Sequence, residues 1–276
     1  MTHVAATGVE HEIQRLLEAI YHRYQYDFRD YAMASLKRRL PVAAERLGFD
    51  TIAGLAAGVV KDRQAFTALL QYLTVPVTDM FRDPHYFRAL RESVVPVLRT
   101  YPSLKIWVAG CSTGEEVYSF AIVLREEQLL ERTLIYATDI NPESLARAEA
   151  GVYDAARFRQ FGDNYREAGG TGSLADHYHA AHGGAVLDRS LRKRVVFSDH
   201  SLTTDSVFAE VQLVSCRNVL IYFNRALQNR VVNLFTDSLC RKGFLGIGAR
   251  ETLRFTTAAP RYTEVRRDAR IYQKLA

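Results

Sequence analysis

The sequence predicts an α/β protein with a doubly wound, mostly parallel sheet, an all-helical N-terminal domain and a small inserted β-subdomain. Three observations predict this fold class. Residues up to about 75 carry only helical spacing, strands and helices alternate from Ile106 onwards, and residues 151–192 interrupt that alternation. The predicted limits are 1–75 for the helical domain, 76–90 for a linker and 91–276 for the α/β domain, which contains the insert.

Stripes of apolar residues predict the helices of the first domain. Between Ile13 and Ile20 they are spaced i, i+3, i+4 and i+7, and Phe66–Leu73 repeats the pattern. Proline lacks a backbone N–H and clashes with the preceding turn. Pro41 is therefore expected to end or kink the helix that carries the basic run SLKRRL.

In the second domain, short apolar runs alternate with helical patterns after a helix that begins near Pro84. The predicted strands are Ile106–Ala109, Leu134–Thr138, Arg194–Phe197, Leu213–Ser215 and Gly243–Gly248. The predicted helices are Glu115–Leu130, Pro142–Ala150 and Arg225–Cys240. At the C-terminus, RYTEVRRDARIYQKL alternates apolar and polar residues around Arg267 and Asp268, which indicates a β-hairpin.

The insert is rich in glycine, histidine and tyrosine, and its stretch FGDNYREAGGTGSLADHYHAAHGG shows no helical stripe. Its histidines, His177, His179 and His182, do not have the HExxH spacing, and no nearby Cys or Glu completes a tetrahedral ligand set. We therefore predict solvated histidines and no metal.

Composition limits the cellular setting and the partners. No apolar run approaches the ~20 residues that span a bilayer, and the N-terminus lacks the pattern of a signal peptide. The three cysteines form no CxxC pair. The formal charge of +5 would allow nucleic-acid binding, but the basic residues are not interleaved with aromatic ones. We predict a cytoplasmic protein that docks to an acidic protein surface, without nucleic acid or membrane insertion.

The segment KIWVAGCSTGEEVYSFAIVL reads as a strand, a tight turn and a helix, as in nucleotide-binding proteins, yet the G-x-G-x-x-G pattern is absent. Glu115 and Glu116 at the helix start would repel a pyrophosphate and favour a cationic ligand such as S-adenosylmethionine. The alternative is that both merely stabilise the dipole of their own helix. A parallel sheet closed by a terminal hairpin is also the architecture of S-adenosylmethionine-dependent methyltransferases.

Two further strand ends carry polar residues. Asp139 ends the second strand, 25 residues after Gly114, where a carboxylate can accept hydrogen bonds from ribose hydroxyls. The alternative is a cap for the following helix. Arg217 and Asn218 end the fourth strand, with Tyr222 nearby, and are expected to face the ligand. Cys111 and Cys216 are expected to be small buried residues.

The motifs TDMFRDPHYF, STGEEVYS, YATDIN and SCRNVLIYF, in this order, resemble the CheR-type chemotaxis protein methyltransferases over nearly the whole chain. That family methylates glutamate carboxylates of receptor helices with S-adenosylmethionine and releases S-adenosylhomocysteine. The resemblance implies cofactor contacts at Thr78, Arg82, Gly110, Glu116, Asp139, Ser201, Leu202, Asn218 and Val219. It implies catalytic roles for Arg82 and Tyr222, and substrate docking at Lys37, Arg38, Arg39 and Arg46.

Within this resemblance, Pro76 and Ser201 stand where the family often has Asn, and Pro41 falls in the basic docking helix. We predict a monomeric glutamate O-methyltransferase acting on the acidic helical region of a chemoreceptor-like protein. The alternatives are a cofactor-binding scaffold without transfer, a methyltransferase with another target, and an NAD-dependent oxidoreductase. The missing glycine and the paired glutamates disfavour the last.

Overall fold

The structure is a computed structural model that describes residues 8–181 and 184–275. Its α-helices are α1 (Gly8–Tyr24), α2 (Met33–Arg46), α3 (Ile52–Lys61), α4 (Arg63–Thr74), α5 (Pro84–Ala89), α6 (Val95–Leu98), α7 (Glu115–Glu126), α8 (Pro142–Ala150), α9 (Phe158–Glu167), α10 (Arg189–Arg192) and α11 (Arg225–Ser238). Its strands are β1 (Leu104–Ala109), β2 (Thr133–Asp139), β3 (Val152–Asp154), β4 (Tyr178–Ala181), β5 (Gly184–Leu187), β6 (Val195–Asp199), β7 (Val211–Cys216), β8 (Leu239–Ile247), β9 (Tyr262–Arg266) and β10 (Ile271–Lys274).

Seven strands form the main sheet in the order β6-β2-β1-β7-β8-β10-β9. The first five are parallel, whereas β10 pairs antiparallel with both β8 and β9. The terminal hairpin turns at Arg267 and Asp268, as the alternating pattern predicts. The fold class predicted from the sequence is thus confirmed.

Alternate side chains of β1 enter two different cores, because successive residues of a strand point to opposite faces. Ile106 and Val108 pack with apolar residues of α5, α7 and α9. Trp107 and Ala109 pack with residues of α1 to α4 and α11. Residues of the N-terminal helices therefore share one core with this face of the sheet. They also reach the edge where its parallel strands end, since the hydroxyl of Thr74 accepts from Nδ2 of Asn141 at 3.0 Å.

Pro41 does not end its helix, as one of the two predicted outcomes required, because α2 continues through it to Arg46; a kink at Pro41 stays a prediction. The lost backbone hydrogen bond and the clash of the ring cost about 3 kcal/mol. Leu36 and Leu40 are completely buried on the same helix, and each contributes roughly 1.5–3 kcal/mol. Burial of the apolar face offsets the proline.

The insert is a small β-subdomain, as predicted, and its three antiparallel strands lie in the order β3-β5-β4. It also contains the helix α9, which the sequence pattern does not predict. Phe158, Phe161 and Tyr165 form the buried stripe of α9. The prediction of solvated histidines is wrong for His177, which is buried near Arg125 and against the ring of Tyr165.

His179 is exposed, and His182 lies outside the described residues. Two predicted helices are also too long at their C-termini. The helix that begins at Glu115 ends at Glu126. The helix that begins at Arg225 ends at Ser238, and β8 begins at the next residue. Within the two described ranges, no helix has both the length and the apolar character needed to cross a bilayer.

Candidate cofactor and active site

A cavity of about 880 Å³ opens where the parallel strands end, between the sheet and residues 73–82. All the residues for which the sequence predicts cofactor or catalytic roles line it, namely Thr78, Arg82, Gly110, Glu116, Asp139, Ser201, Leu202, Asn218, Val219 and Tyr222. One cavity therefore brings together residues separated by up to 144 positions in the chain.

The loop after β1 needs its two glycines. Gly110 has φ +70°, and a Cβ there would lie 2.6 Å from Cγ2 of Val219 across the cavity. Gly114 has φ +92°, and its Cβ would lie 2.8 Å from Cβ of Ala148. Side chains at such positions would clash and would also strain the backbone. Because these two positions carry no side chain, the loop leaves room for a ligand at the start of α7.

Asp139 is held at the end of β2 by backbone hydrogen bonds. Its Oδ2 accepts from the N–H of Ser112 at 2.8 Å, and its Oδ1 accepts from the N–H of Asn141 at 2.9 Å. Burial raises the pKa of Asp139, and these bonds oppose the rise. Each oxygen keeps a further lone pair for a ligand hydroxyl. The alternative role as a helix cap is wrong, because Asn141 caps α8.

Glu116 faces the cavity and is paired with Arg217. Oε2 of Glu116 lies 3.0 Å from Nη1 of Arg217, while its Oε1 accepts from the Ser215 hydroxyl at 2.7 Å. The buried guanidinium also contacts Asp83 at 2.8 Å and packs 4.2 Å from the ring centroid of Tyr86. One cation is thus surrounded by two carboxylates. The excess negative charge favours a cationic ligand.

Glu115 does not line the cavity. It is buried beneath the loop, where its carboxylate lies 2.7 Å from Nη1 of Arg157 and accepts from the Thr113 hydroxyl at 2.6 Å. Arg157 belongs to the insert and also pairs with Asp79 of the linker at 3.1 Å. The two neighbouring glutamates therefore differ in role: Glu116 faces the ligand, and Glu115 joins the insert to the linker and the loop.

Arg82 and Tyr222 line the outer part of the cavity with donor groups to spare. Nη1 of Arg82 donates to the carbonyl of Val77 at 3.1 Å, and the other N–H groups of this guanidinium have no partner in the described chain. The hydroxyl of Tyr222 likewise bonds to no described group. Val75 and Val77, on either side of Pro76, also line this part of the cavity.

The predicted docking residues of α2 are not all at the surface. Arg39 is turned inward: it donates to the carbonyls of Tyr72 and Leu73 and lies 5.1 Å from the ring centroid of Tyr222. Arg39 is half-buried and supports the cavity wall from behind, and its docking role stays a prediction. Lys37 pairs with Glu10. Arg38 and Arg46 are exposed, and their docking role stays a prediction.

Sequence analysis missed two contacts that shape this site. The buried carboxylate of Glu251 accepts from the backbone N–H groups of Asn218 at 3.1 Å and Ile221 at 3.2 Å, and so fixes the loop that leads to Tyr222. The segment before α2 joins the same loop, because the N–H of Ala32 donates to the carbonyl of Tyr222 at 2.8 Å. No local pattern signals either contact.

Two buried polar atoms test whether the cavity fits a nucleoside. The Ser112 hydroxyl and Nδ1 of His200 have no hydrogen-bond partner within the described chain, and both residues line the cavity. Buried polar atoms are normally paired, so these two atoms point to a polar ligand. With the acceptors of Asp139 and Glu116, they suit the adenosine and the cationic amino acid of S-adenosylmethionine.

Comparisons with known proteins agree with this chemistry. The CheR methyltransferase all-alpha domain matches residues 11–74, and the CheR methyltransferase SAM binding domain matches residues 76–268. A putative methyltransferase Cher3 of Pseudomonas putida is 56% identical over 263 residues, which cover 95% of this chain and 96% of that protein.

Two chemotaxis protein methyltransferases are more distant. That of Listeria innocua is 30% identical over 81% of this chain and 83% of its own length, and that of Vibrio anguillarum is 29% identical over the full length of both. The family models match most of the chain, and most of the residues that line the cavity lie in the larger of the two matched regions, while Tyr31, Leu73 and Thr74 lie in the smaller one. The chain therefore belongs to the CheR methyltransferase family, the S-adenosylmethionine-dependent enzymes that its motifs resemble.

Proposed function

We propose that the protein transfers the methyl group of S-adenosylmethionine to glutamate side chains in an acidic helical region of a chemoreceptor-like signalling protein. The observation that carries this proposal is the cavity itself. A buried, negatively charged inner part adjoins an outer part where Arg82 and Tyr222 have free donors. The names of the chemotaxis relatives support the choice of receptor.

The inner residues would hold the cofactor. The carboxylate of Asp139 would accept hydrogen bonds from the ribose hydroxyls with its free lone pairs. Ser201 and Leu202 would flank the adenine. The acidic surroundings of Arg217, Glu116 included, attract the ammonium group. Gly110 allows close approach, and Thr78, Asn218 and Val219 complete the pocket. When bound, S-adenosylmethionine supplies a methyl group activated by its sulfonium charge.

The chain's own residues have little proton chemistry to perform. A glutamate side chain has a pKa of about 4.3 in solution, so at neutral pH it arrives as a carboxylate and needs no base. The guanidinium of Arg82 orients this carboxylate, and the hydroxyl of Tyr222 donates a hydrogen bond to it. Alignment and exclusion of water then provide most of the rate, because charges cancel as ester and thioether form.

The direct test uses S-adenosylmethionine with a labelled methyl group and purified cytoplasmic fragments of chemoreceptors. We expect label on the receptor that mild alkali releases as methanol, as for a methyl ester. A receptor with its accepting glutamates changed to glutamine is the control and should gain no label. Label that resists alkali would indicate another target atom. Tight binding of S-adenosylhomocysteine without transfer to any receptor would indicate a scaffold.

A further inference from the structure

An exposed aromatic residue lies among arginines in the loop after β8. Phe255, in the loop after β8, is 69% exposed, and the guanidinium carbon of Arg225 lies 4.8 Å from its ring centroid. Arg254 and Arg270 line the groove next to it, and Arg250 is exposed on the same loop. We call Phe255 and the arginines 225, 250, 254 and 270 the Phe255 patch.

The arginines of the Phe255 patch have no acidic partner in the described parts of the chain. The acid that lines the groove, Asp268, is bonded to Arg266 at 3.4 Å. The nearby Glu251 is buried and uses its oxygens on backbone N–H groups. The patch therefore combines uncompensated positive charge with an apolar ring, which suits a partner that is acidic and partly apolar.

The Phe255 patch is continuous with the catalytic end of the molecule. Glu251 ties its loop to Asn218 and Ile221, and Asn218 lines the cavity. The side chain of Ile221 is 40% exposed and immediately precedes Tyr222. The loop that carries the patch is thus bonded to the loop that leads to Tyr222, a group to which we assign a role in the transfer.

We propose that the Phe255 patch is a docking surface for the acidic helical region of the methyl-accepting protein. The proposal rests on the proposed function and adds to α2 a second place where the substrate is held. Arginine and large aromatic residues contribute most of the binding energy at many interfaces, and planar guanidinium groups suit carboxylates. Phe255 and Ile221 would contact apolar residues of the helix while the arginines pair with its acids.

The test compares the double variant Arg254→Glu/Phe255→Ala with the matched control Arg241→Glu. Arg241 is exposed at the opposite end of the same strand, β8. In steady-state methylation of a receptor fragment, we expect the double variant to raise KM for the receptor about 10-fold. Its kcat and its affinity for S-adenosylhomocysteine should stay within twofold of the unmodified protein, as should all constants of Arg241→Glu.

The other outcomes separate the possible failures. An unchanged KM, or an equal rise in the control, overturns this proposal while transfer by the unmodified protein upholds the proposed function. Absence of transfer by the unmodified protein rejects both. The unmodified protein could sediment with phosphatidylglycerol vesicles while the double variant does not. If the double variant also keeps an unchanged KM for the receptor, the patch would be assigned to a membrane surface instead. If the double variant loses affinity for S-adenosylhomocysteine, the single variant Arg225→Glu is used in its place, and the same rise in KM for the receptor is expected of it.

Discussion

The two sides of the cavity are built differently. On the sheet wall, formed by Gly110, Ser112, Glu116, Asp139 and Arg217, both carboxylates are bonded to protein groups. On the outer wall, formed by Val77, Arg82 and Tyr222, the guanidinium makes one described hydrogen bond and the phenol hydroxyl makes none. A site that binds the same cofactor in every turnover gains from fixed partners, whereas groups for an arriving carboxylate must keep donors free.

The difference also explains why Arg217 and Arg82, both at the cavity, receive different roles. Arg217 is neutralised by Glu116 and Asp83, and its second Nη donates to the carbonyl of Arg82 at 2.7 Å. It therefore fixes the linker next to Arg82. Asp83 has φ +54°, which is unusual for a residue other than glycine, and this pairing helps to hold it there. The buried Arg217 thus positions the half-buried Arg82.

The substitution Arg82→Ala tests the role of the outer wall. We expect methyl transfer to fall about 100- to 1,000-fold, the usual loss when one oriented donor is removed from an active site. Affinity for S-adenosylhomocysteine should change only a few-fold, because the backbone carbonyl that Arg217 contacts remains. Single-turnover assays and calorimetry measure the two quantities.

Arg82→Lys is the matched control, since it keeps the charge but not the forked geometry. Its rate should lie between those of the unmodified protein and Arg82→Ala. Equal losses of affinity and of transfer in Arg82→Ala would show that the outer wall binds the cofactor as much as it orients the substrate.

Asp139→Asn tests the sheet wall. The carboxylate accepts from two backbone N–H groups, and an amide would turn its NH₂ toward one of them. Hydrogen bonds to a charged group contribute about 1.5–3 kcal/mol each, so we expect the dissociation constant for S-adenosylhomocysteine to rise about 10- to 100-fold. Calorimetric titration measures it.

Asp199→Asn is the control for this change. Asp199 pairs in register with Asp139 at the end of the neighbouring strand β6, and is not among the residues that line the cavity. The same substitution there should leave affinity within twofold. A comparable loss in both variants would mean that the charge of this sheet edge, and not a contact from Asp139, sets the affinity.

Much of the sheet wall could be predicted because its residues lie at strand ends. Glu116, Asp139 and Asn218 each follow a recognisable apolar run, and the carboxyl ends of parallel strands meet at one edge. Glu251 and Arg157 could not be predicted in the same way. Their partners lie 33 and 42 positions away, and nothing local distinguishes them from surface residues.

The errors on helices have a similar cause. Pro41 lies inside α2 because tertiary burial of Leu36 and Leu40 outweighs a local preference. The helix α9 has only ten residues, and glycine-rich sequence follows it, so its short stripe was overlooked. The resemblance implies docking at Arg39, but it gives no sign that the guanidinium of Arg39 caps the end of α4.

The two walls should also respond differently to acid. Burial raises the pKa of Asp139 above its ordinary value of 3.8, so its carboxylate is protonated at a higher pH than an exposed aspartate. A protonated Asp139 loses acceptor capacity, and affinity for S-adenosylhomocysteine should fall a few-fold as the pH drops from neutrality toward the raised pKa of this group. The folded state itself gains stability from this group at low pH and loses it as the pH rises through the raised pKa.

Calorimetry across this pH range, compared with thermal unfolding of the free protein, separates the two trends. Asp139→Asn should abolish the pH dependence of affinity that this group contributes. An identical slope in the variant would assign the dependence to another group of the sheet wall.

The smallest expected effect concerns α2, beyond the outer wall. Arg38 and Arg46 are exposed on this helix, and we expect each exposed charge pair that they form to contribute about 0.2–0.5 kcal/mol. Arg38→Glu/Arg46→Glu should therefore raise KM for a receptor fragment only about two- to fivefold, with kcat unchanged. Steady-state assays at low and high salt measure this, since screening should shrink the difference. A rise larger than that of the double variant in the Phe255 patch would make α2 the main docking surface. No rise at all would leave Arg39, turned inward against Tyr222, as the residue through which α2 serves the site.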